Sequence, residues 1–104
     1  MPLSLSAIAV LGAVSRSVRY GFDIMDATGL PSGTVYPILR RLDADGVVRS
    51  RWEKEGVARR EQRPPRRYYE LTAGGKMIAA DARTRAQALA EAGQRLLRPV
   101  ESEG

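Results

Sequence analysis

At Gly46 the hydrophobic period of this chain changes, and that change limits the folds open to it. Before Gly46, Val35, Ile38, Leu39 and Leu42 recur at helical spacing. After it, "VVRSRWEKE" alternates: Val48, Ser50 and Trp52 take one side, and Arg49, Arg51 and Glu53 the other. "PPRRYYELT" alternates again, with Arg67, Tyr69 and Leu71 against Arg66, Tyr68 and Glu70. Two alternating runs separated by the polar "KEGVARREQR" predict an antiparallel β-hairpin with a long, exposed, mobile tip. From Thr72 a helical stripe returns and holds to about Leu97, with Ile78, Ala82, Ala86, Leu89, Gly93 and Leu96 in line.

The stretch ahead of Gly46 divides into three helices. Leu5, Ile8, Ala9, Leu11 and Gly12 fit a first helix over about Leu3–Val14. It is apolar on most sides, and so belongs at the centre of a core or against a second chain. A second runs near Tyr20–Thr28, with Phe22, Ile24 and Met25 as its apolar side. "TGLPSG" punctuates: Gly29 closes the second helix, Pro31 blocks its continuation and Ser32 is expected to cap the third. Two short helices about a glycine-bearing turn form a helix-turn-helix pattern. Pro37 interrupts the third helix, where it lacks an N–H and crowds the carbonyl four residues back. Two readings stay open: the proline re-aims an exposed first turn, or the helix starts later and Pro37 lies in its tolerated first turn.

This order predicts a mainly α chain with a small antiparallel hairpin: a winged helix-turn-helix over residues 1–72, a long helix over 73–98 and a frayed tail over 99–104. The chain's 104 residues suit one small domain with an appendage. Cysteine and histidine are absent, which removes disulfides, Cys/His metal sites, thiol nucleophiles and imidazole bases. No carboxylate cluster suggests an oxygen-ligand metal, so no metal, cofactor or catalytic residue is expected. "TAGGK" lacks Walker spacing and reads as a helix start, and Lys76 with Asp81 reads as a surface pair. "PLSLSAIAVLGAV" is too short to span a bilayer, so the expectation is a cytoplasmic protein with no membrane partner.

The net charge of +5 resides in one segment. Between Arg49 and Arg67, seven arginines and Lys54 stand against Glu53, Glu55 and Glu61. Such a stripe is the footprint of a nucleic-acid binder, and the guanidinium fork matches phosphate oxygens. On the third helix, stepping about 100° per residue, Val35, Ile38, Leu39 and Leu42 form the inner face. Gly33, Thr34, Pro37, Arg40, Arg41 and Ala44 point away, with Tyr36 on the shoulder. An exposed face of small residues, hydroxyls and arginine forks suits major-groove docking. Trp52 and Tyr69 are expected to pack on the strand face or in the core.

"SGTVYPILRRLDADGVVRSRWE" and "PPRRYYELTAGGK" resemble the PadR family of bacterial transcriptional regulators. The Tyr-Pro pair, the acidic-Gly turn, the Arg-Arg-Tyr-Tyr strand and the Leu-Thr-x-x-Gly helix start carry the resemblance, which runs from about Leu3 to Met77. "YGFDIMD" is similar to the family's second-helix opening, with Tyr20 for the usual histidine, Phe22 for tyrosine and Asp23 for glutamate. The resemblance implies a homodimeric repressor bound to double-stranded DNA at a pseudo-palindromic operator. Ser32, Gly33, Thr34, Tyr36, Arg40 and Arg41 would read DNA from the third helix, and Lys54, Arg59, Arg60 and Arg63 from the wing. Leu5, Ile8, Ile78, Ala82, Ala86, Leu89 and Leu96 would form the dimer seam, through the single C-terminal helix of the compact subgroup. A small-molecule effector has a place in the family, but the last helix lacks the aromatic residues of a drug sandwich. The alternative is a winged-helix interaction module, which would show apolar anchors on the exposed face of the third helix.

Overall fold

The computed structural model describes residues 3–100. In chain order it holds α1 (Leu5–Ser15), α2 (Gly21–Thr28), α3 (Ser32–Ala44), β1 (Val48–Trp52), α4 (Glu55–Arg60), β2 (Arg67–Leu71) and α5 (Ala73–Leu96). The expected tail falls partly at 101–104, outside the described residues.

Each boundary has a local cause. Ser4 caps α1, its Oγ accepting the Ala7 N–H at 3.1 Å. Gly29 ends α2 in the left-handed region at φ 72°, and Gly46 turns the chain out of α3 at φ 73°. The turn between α2 and α3 is tied by Thr28, whose Oγ1 donates to the Ile24 carbonyl at 2.7 Å and accepts the Leu30 N–H at 3.2 Å. Ser32 does not cap α3. Pro31 takes the cap position with φ −74° and ψ 162°, an extended geometry that its ring favours, and its carbonyl receives the N–H groups of Thr34 and Val35 at 3.0 Å. Ser32 is the first helical residue, so Pro37 lies in the second turn and leaves the Gly33 carbonyl without its helical N–H partner. The later-start reading of α3 is thereby overturned.

Leu11, Ile24, Leu39, Val10, Val35 and Val48 are fully buried and form the core. α1 stands at its centre, touching α2, α3, α5 and β2, which is why its sequence is apolar nearly all round. On α2 only Ile24 is fully buried: Met25 is half-buried and Phe22 faces outward. The hairpin pairs antiparallel in the register Val48↔Leu71, Ser50↔Tyr69 and Trp52↔Arg67. Thr72 caps α5 as expected, accepting the Gly75 N–H at 2.9 Å, and its hydroxyl also donates to the Gly46 carbonyl at 2.6 Å. That bond fixes the start of α5 to the end of α3. Asp81 reaches Arg85 at 3.4 Å and not Lys76.

The mobile tip is corrected. Six of its residues form α4, with Ala58 buried and Glu55 bound to Arg59 at 2.8 Å one turn on. Acidic Glu55 at its start and basic Arg59 and Arg60 at its end suit the helix dipole.

Candidate nucleic-acid interface

Two elements meet to make a basic, polar face. From α3, Ser32, Gly33, Pro37, Arg40 and Arg41 are exposed, and Thr34 is half-buried. Their inner neighbours Val35, Leu39 and Leu42 lock the helix to the core. No large apolar side chain other than Tyr36 is exposed on α3.

Tyr36 is placed by a residue the sequence reading passed over. A Cβ on Gly21 would stand 2.5 Å from both the Tyr36 hydroxyl and its Cε1, so the glycine leaves a seat for the end of the ring. The phenol therefore lies over the first residue of α2, with the ring 39% exposed. The helix start is where free N–H groups and the positive end of the dipole gather. The signal in the sequence is the Tyr-Gly pair at 20–21.

The wing is held to the body by an edge-to-face ring pair and is closed internally by a polar clamp. Tyr20 meets Tyr68 edge-on at 5.7 Å, and the Arg66 guanidinium lies 4.3 Å over the Tyr20 ring. A hydrogen bond with Asp23 pushes the Tyr20 phenol above its ordinary range. Arg63 is not displayed as a tip cation. Its fork closes on Glu53, with Nη1 donating to Oε1 at 2.6 Å and Nη2 to Oε2 at 2.9 Å, and the Tyr68 hydroxyl adds a third bond at 2.8 Å. Arg63 hydrogen bonding first, then the Tyr68 hydroxyl, holds the Glu53 carboxyl down to about 2 against the opposing pull of burial.

Neutralisation redistributes the basic stripe. Arg49 pairs with Glu70 at 3.8 Å, Arg59 with Glu55, Arg63 with Glu53 and Arg67 with Asp43 at 3.7 Å. Among the described residues, Arg40, Arg51, Lys54, Arg60 and Arg66 have no carboxylate within ion-pair distance. On this face the cations without such a partner thus lie on α3, on β1, at both ends of α4 and just before β2. Arg67, unassigned from the sequence, joins the two elements: its Nη2 donates to Ser50 Oγ at 2.7 Å, and Ser50 donates to Asp43 of α3 at 2.9 Å. Trp52 is not packed away; it is 64% exposed.

The residues expected at a dimer seam divide. Leu5, Ile78, Leu89 and Leu96 are exposed. Ala82 is buried within this chain and Ile8 packs on the same core, so both are used inside the protomer. Ile8 and Ala86 line a cleft of about 540 Å³ between α1 and α5.

The profile of the "Transcriptional regulator PadR-like family" matches residues 10–81, most of the chain. The chain belongs to the PadR-like family. PadR-like proteins are DNA-binding transcriptional regulators and not enzymes, which settles the class of this one. A PadR family transcription regulator from Clostridium difficile R20291 superposes with a TM-score of 0.76 at 20% identity, over 90% of this chain and 99% of the other. A PadR-like regulator from Bacillus cereus does so with 0.73 at 18%, over 90% and 92%. BpsR of Bordetella bronchiseptica, whose DNA binding is regulated by 6-hydroxynicotinic acid, gives 0.75 at 20%, over 95% and 73%. At these identities the likeness shows the winged-helix fold alone. A search of curated proteins finds no sequence match. No described helix is long and apolar enough to cross a membrane.

Proposed function

We propose that this PadR-like chain is a homodimeric repressor that reads a pseudo-palindromic operator through α3 and steadies itself on the backbone through the wing. The observation that carries the reading is the exposed face of α3. Arg40, Thr34 and Tyr36 surround a small N-terminal end at Ser32 and Gly33, where the backbone is free to come close to a groove. Arg40 supplies the bidentate fork that pairs with guanine, and the hydroxyls of Ser32, Thr34 and Tyr36 fix register on phosphates. Tyr36, seated on Gly21, puts its hydroxyl beside the start of α2, so one phosphate would meet both. Lys54, Arg60 and Arg51 follow the backbone from the wing, while Arg63 braces it.

The exposed leucines of α5 support a second copy. With two copies, the recognition helices would stand about 34 Å apart, one turn of DNA. Repression follows from occupancy of such a site within a promoter. The interaction-module reading draws on a shallow apolar patch of Phe22, Met25, Leu30 and Pro31, but that patch is built by α2 and the turn to α3, and α3 itself exposes no large apolar side chain other than Tyr36.

The test is fluorescence anisotropy of labelled DNA from upstream of the protein's own gene, against an unrelated duplex, at several salt concentrations. Tight, steeply salt-dependent binding to the upstream duplex, with discrimination abolished in Arg40→Ala, is the expected result. No binding to either duplex at low salt would end the proposal.

A further inference from the structure

The single tryptophan of the chain is exposed on the wing. Strand alternation puts Trp52 on the same face as Val48 and Ser50. That face looks toward α3: Val48 is buried in the core, and Ser50 is bonded to Asp43 of α3. Trp52 lies two residues further out, past the reach of α3. Its cross-strand partner is Arg67. The Arg67 guanidinium is anchored at Ser50 and Asp43, and its Cζ stands 5.6 Å from the centre of the Trp52 ring. On α3, Tyr36, Arg40 and Asp43 follow one another at i, i+4 and i+7 and so share one ridge, which ends at the Asp43–Arg67 pair. One continuous surface therefore runs from Tyr36 and Arg40 of the recognition helix, across Asp43 and Arg67, to Trp52.

Its chemistry suits a nucleic acid. The one carboxylate on it, Asp43, is already held by Ser50 and Arg67, so the unbalanced charge along the surface is that of Arg40, with Lys54 just beyond Trp52. An indole offers a flat π surface that packs on deoxyribose or an unstacked base edge, and an N–H donor for a phosphate oxygen. A guanidinium already aligned beside it spends little further freedom when a phosphate arrives.

Resting on the operator reading above, we propose that Trp52 is a DNA-contact residue, packing on the sugar–phosphate edge that flanks the groove entered by α3, and that Arg67 is the positioning residue that holds the indole there. The occupant is the flank of the same operator duplex, because the surface is continuous with α3.

As the only tryptophan, Trp52 reports on itself. The full chain is titrated with the upstream duplex and with an unrelated duplex. Indole emission, its quenching by acrylamide and the anisotropy of the labelled DNA are read on the same samples. The expected result is quenched emission and severalfold lower acrylamide accessibility, in step with the anisotropy. Trp52→Ala should weaken operator binding about tenfold, as loss of one aromatic stacking contact does, with Trp52→Phe recovering part of it. Arg67→Lys, which keeps the charge and loses the planar fork, should shift the emission of the free protein as well as weaken binding. A complex seen by anisotropy with unchanged emission and quenching, and with Trp52→Ala binding like the original, overturns the proposal while leaving the operator reading intact. Emission that changes with protein concentration in the absence of DNA gives the face to a second copy and overturns it too. Binding to neither duplex overturns both.

Discussion

Gly75 and Glu53 show how single residues set the frame on which the interface stands. Gly75 is in the first turn of α5, where a Cβ would run into the Val47 backbone carbonyl. A backbone atom at the crossing of α3, β1 and α5 has no rotamer by which to retreat. Gly75→Ala should therefore cost about 3 kcal/mol, the upper end for overpacking, read as a lower urea midpoint with an unchanged m-value. At Gly21 the atom in the way is the far end of the Tyr36 ring, which is able to swing. Gly21→Ala should leave the urea midpoint nearly unchanged and weaken DNA binding through a displaced Tyr36. Glu53 gives a pH signature. Its folded pKa is lowered from 4.5 to about 2. The clamp's stabilisation is thus whole above about 4.5 and is lost as pH falls through that window toward 2. Thermal melts of wild type and Glu53→Gln should differ at neutral pH and converge on acidification. A gap of constant size from pH 6 to pH 2 would show that the clamp's charge contributes nothing.

At the scale of elements, α3 and α4 carry opposite lessons about what a sequence makes visible. The periods of α3, β1, β2 and α5 were legible because each buries one regular face, and Gly29, Gly46 and Thr72 punctuate them with left-handed turns and a cap. α4 has only Val57 and Ala58 to bury, too few for any period. The Glu53–Arg63 clamp closes the loop around it, a contact between residues ten apart that no local pattern announces. The face of Trp52 was legible too, but its exposure was not. Period two says which side a residue takes, and only the reach of α3 decides whether that side is covered. Most of the candidate interface was readable on α3 for the same reason that its core was: the outer face is what the inner face leaves. Arg63→Ala tests the clamp. With its guanidinium gone, the wing should become labile to trypsin near Arg59 and Arg60, and the salt slope of DNA binding should fall, while discrimination between duplexes persists. Pro37→Ala tests the defect in α3. Restoring an N–H to the Gly33 carbonyl should stabilise the fold by about 1–3 kcal/mol. If the proline aims the first turn, operator affinity falls as stability rises; equal affinity would make the proline merely tolerated.

The whole molecule is longer than a compact chain of its size. Its radius of gyration is 17.5 Å and its longest extent 70 Å, whereas a compact chain of about 100 residues has a radius near 13 Å. The excess is α5. Its first half lies on α1 through Ala79 and Ala82, but the same stripe continues through Leu89, Gly93 and Leu96, where Leu89 and Leu96 stay exposed within the described chain. Helical spacing keeps these residues in line with Ala82, so whatever covers them extends the α1–α5 seam without a break. Small residues at Ala86 and Gly93 let a second helix approach closely, with the leucines filling the space beside them. On the homodimer proposed above, a second copy of the chain would cover this stripe by symmetry, each α5 against the other. The pair Leu89→Glu and Leu96→Glu places two charges in that seam. These positions are 66% and 80% exposed in the protomer, so the fold itself should survive the change. Sedimentation velocity at micromolar concentration should find a dimer for the wild type and a monomer for the double variant, and only the wild type should melt at a concentration-dependent temperature. The monomer should still bind a single half-site, weakly, because α3 and the wing are untouched, but should gain nothing from a second half-site one turn away. A double variant that sediments and binds like wild type would place the seam elsewhere and leave the leucines of α5 to another partner.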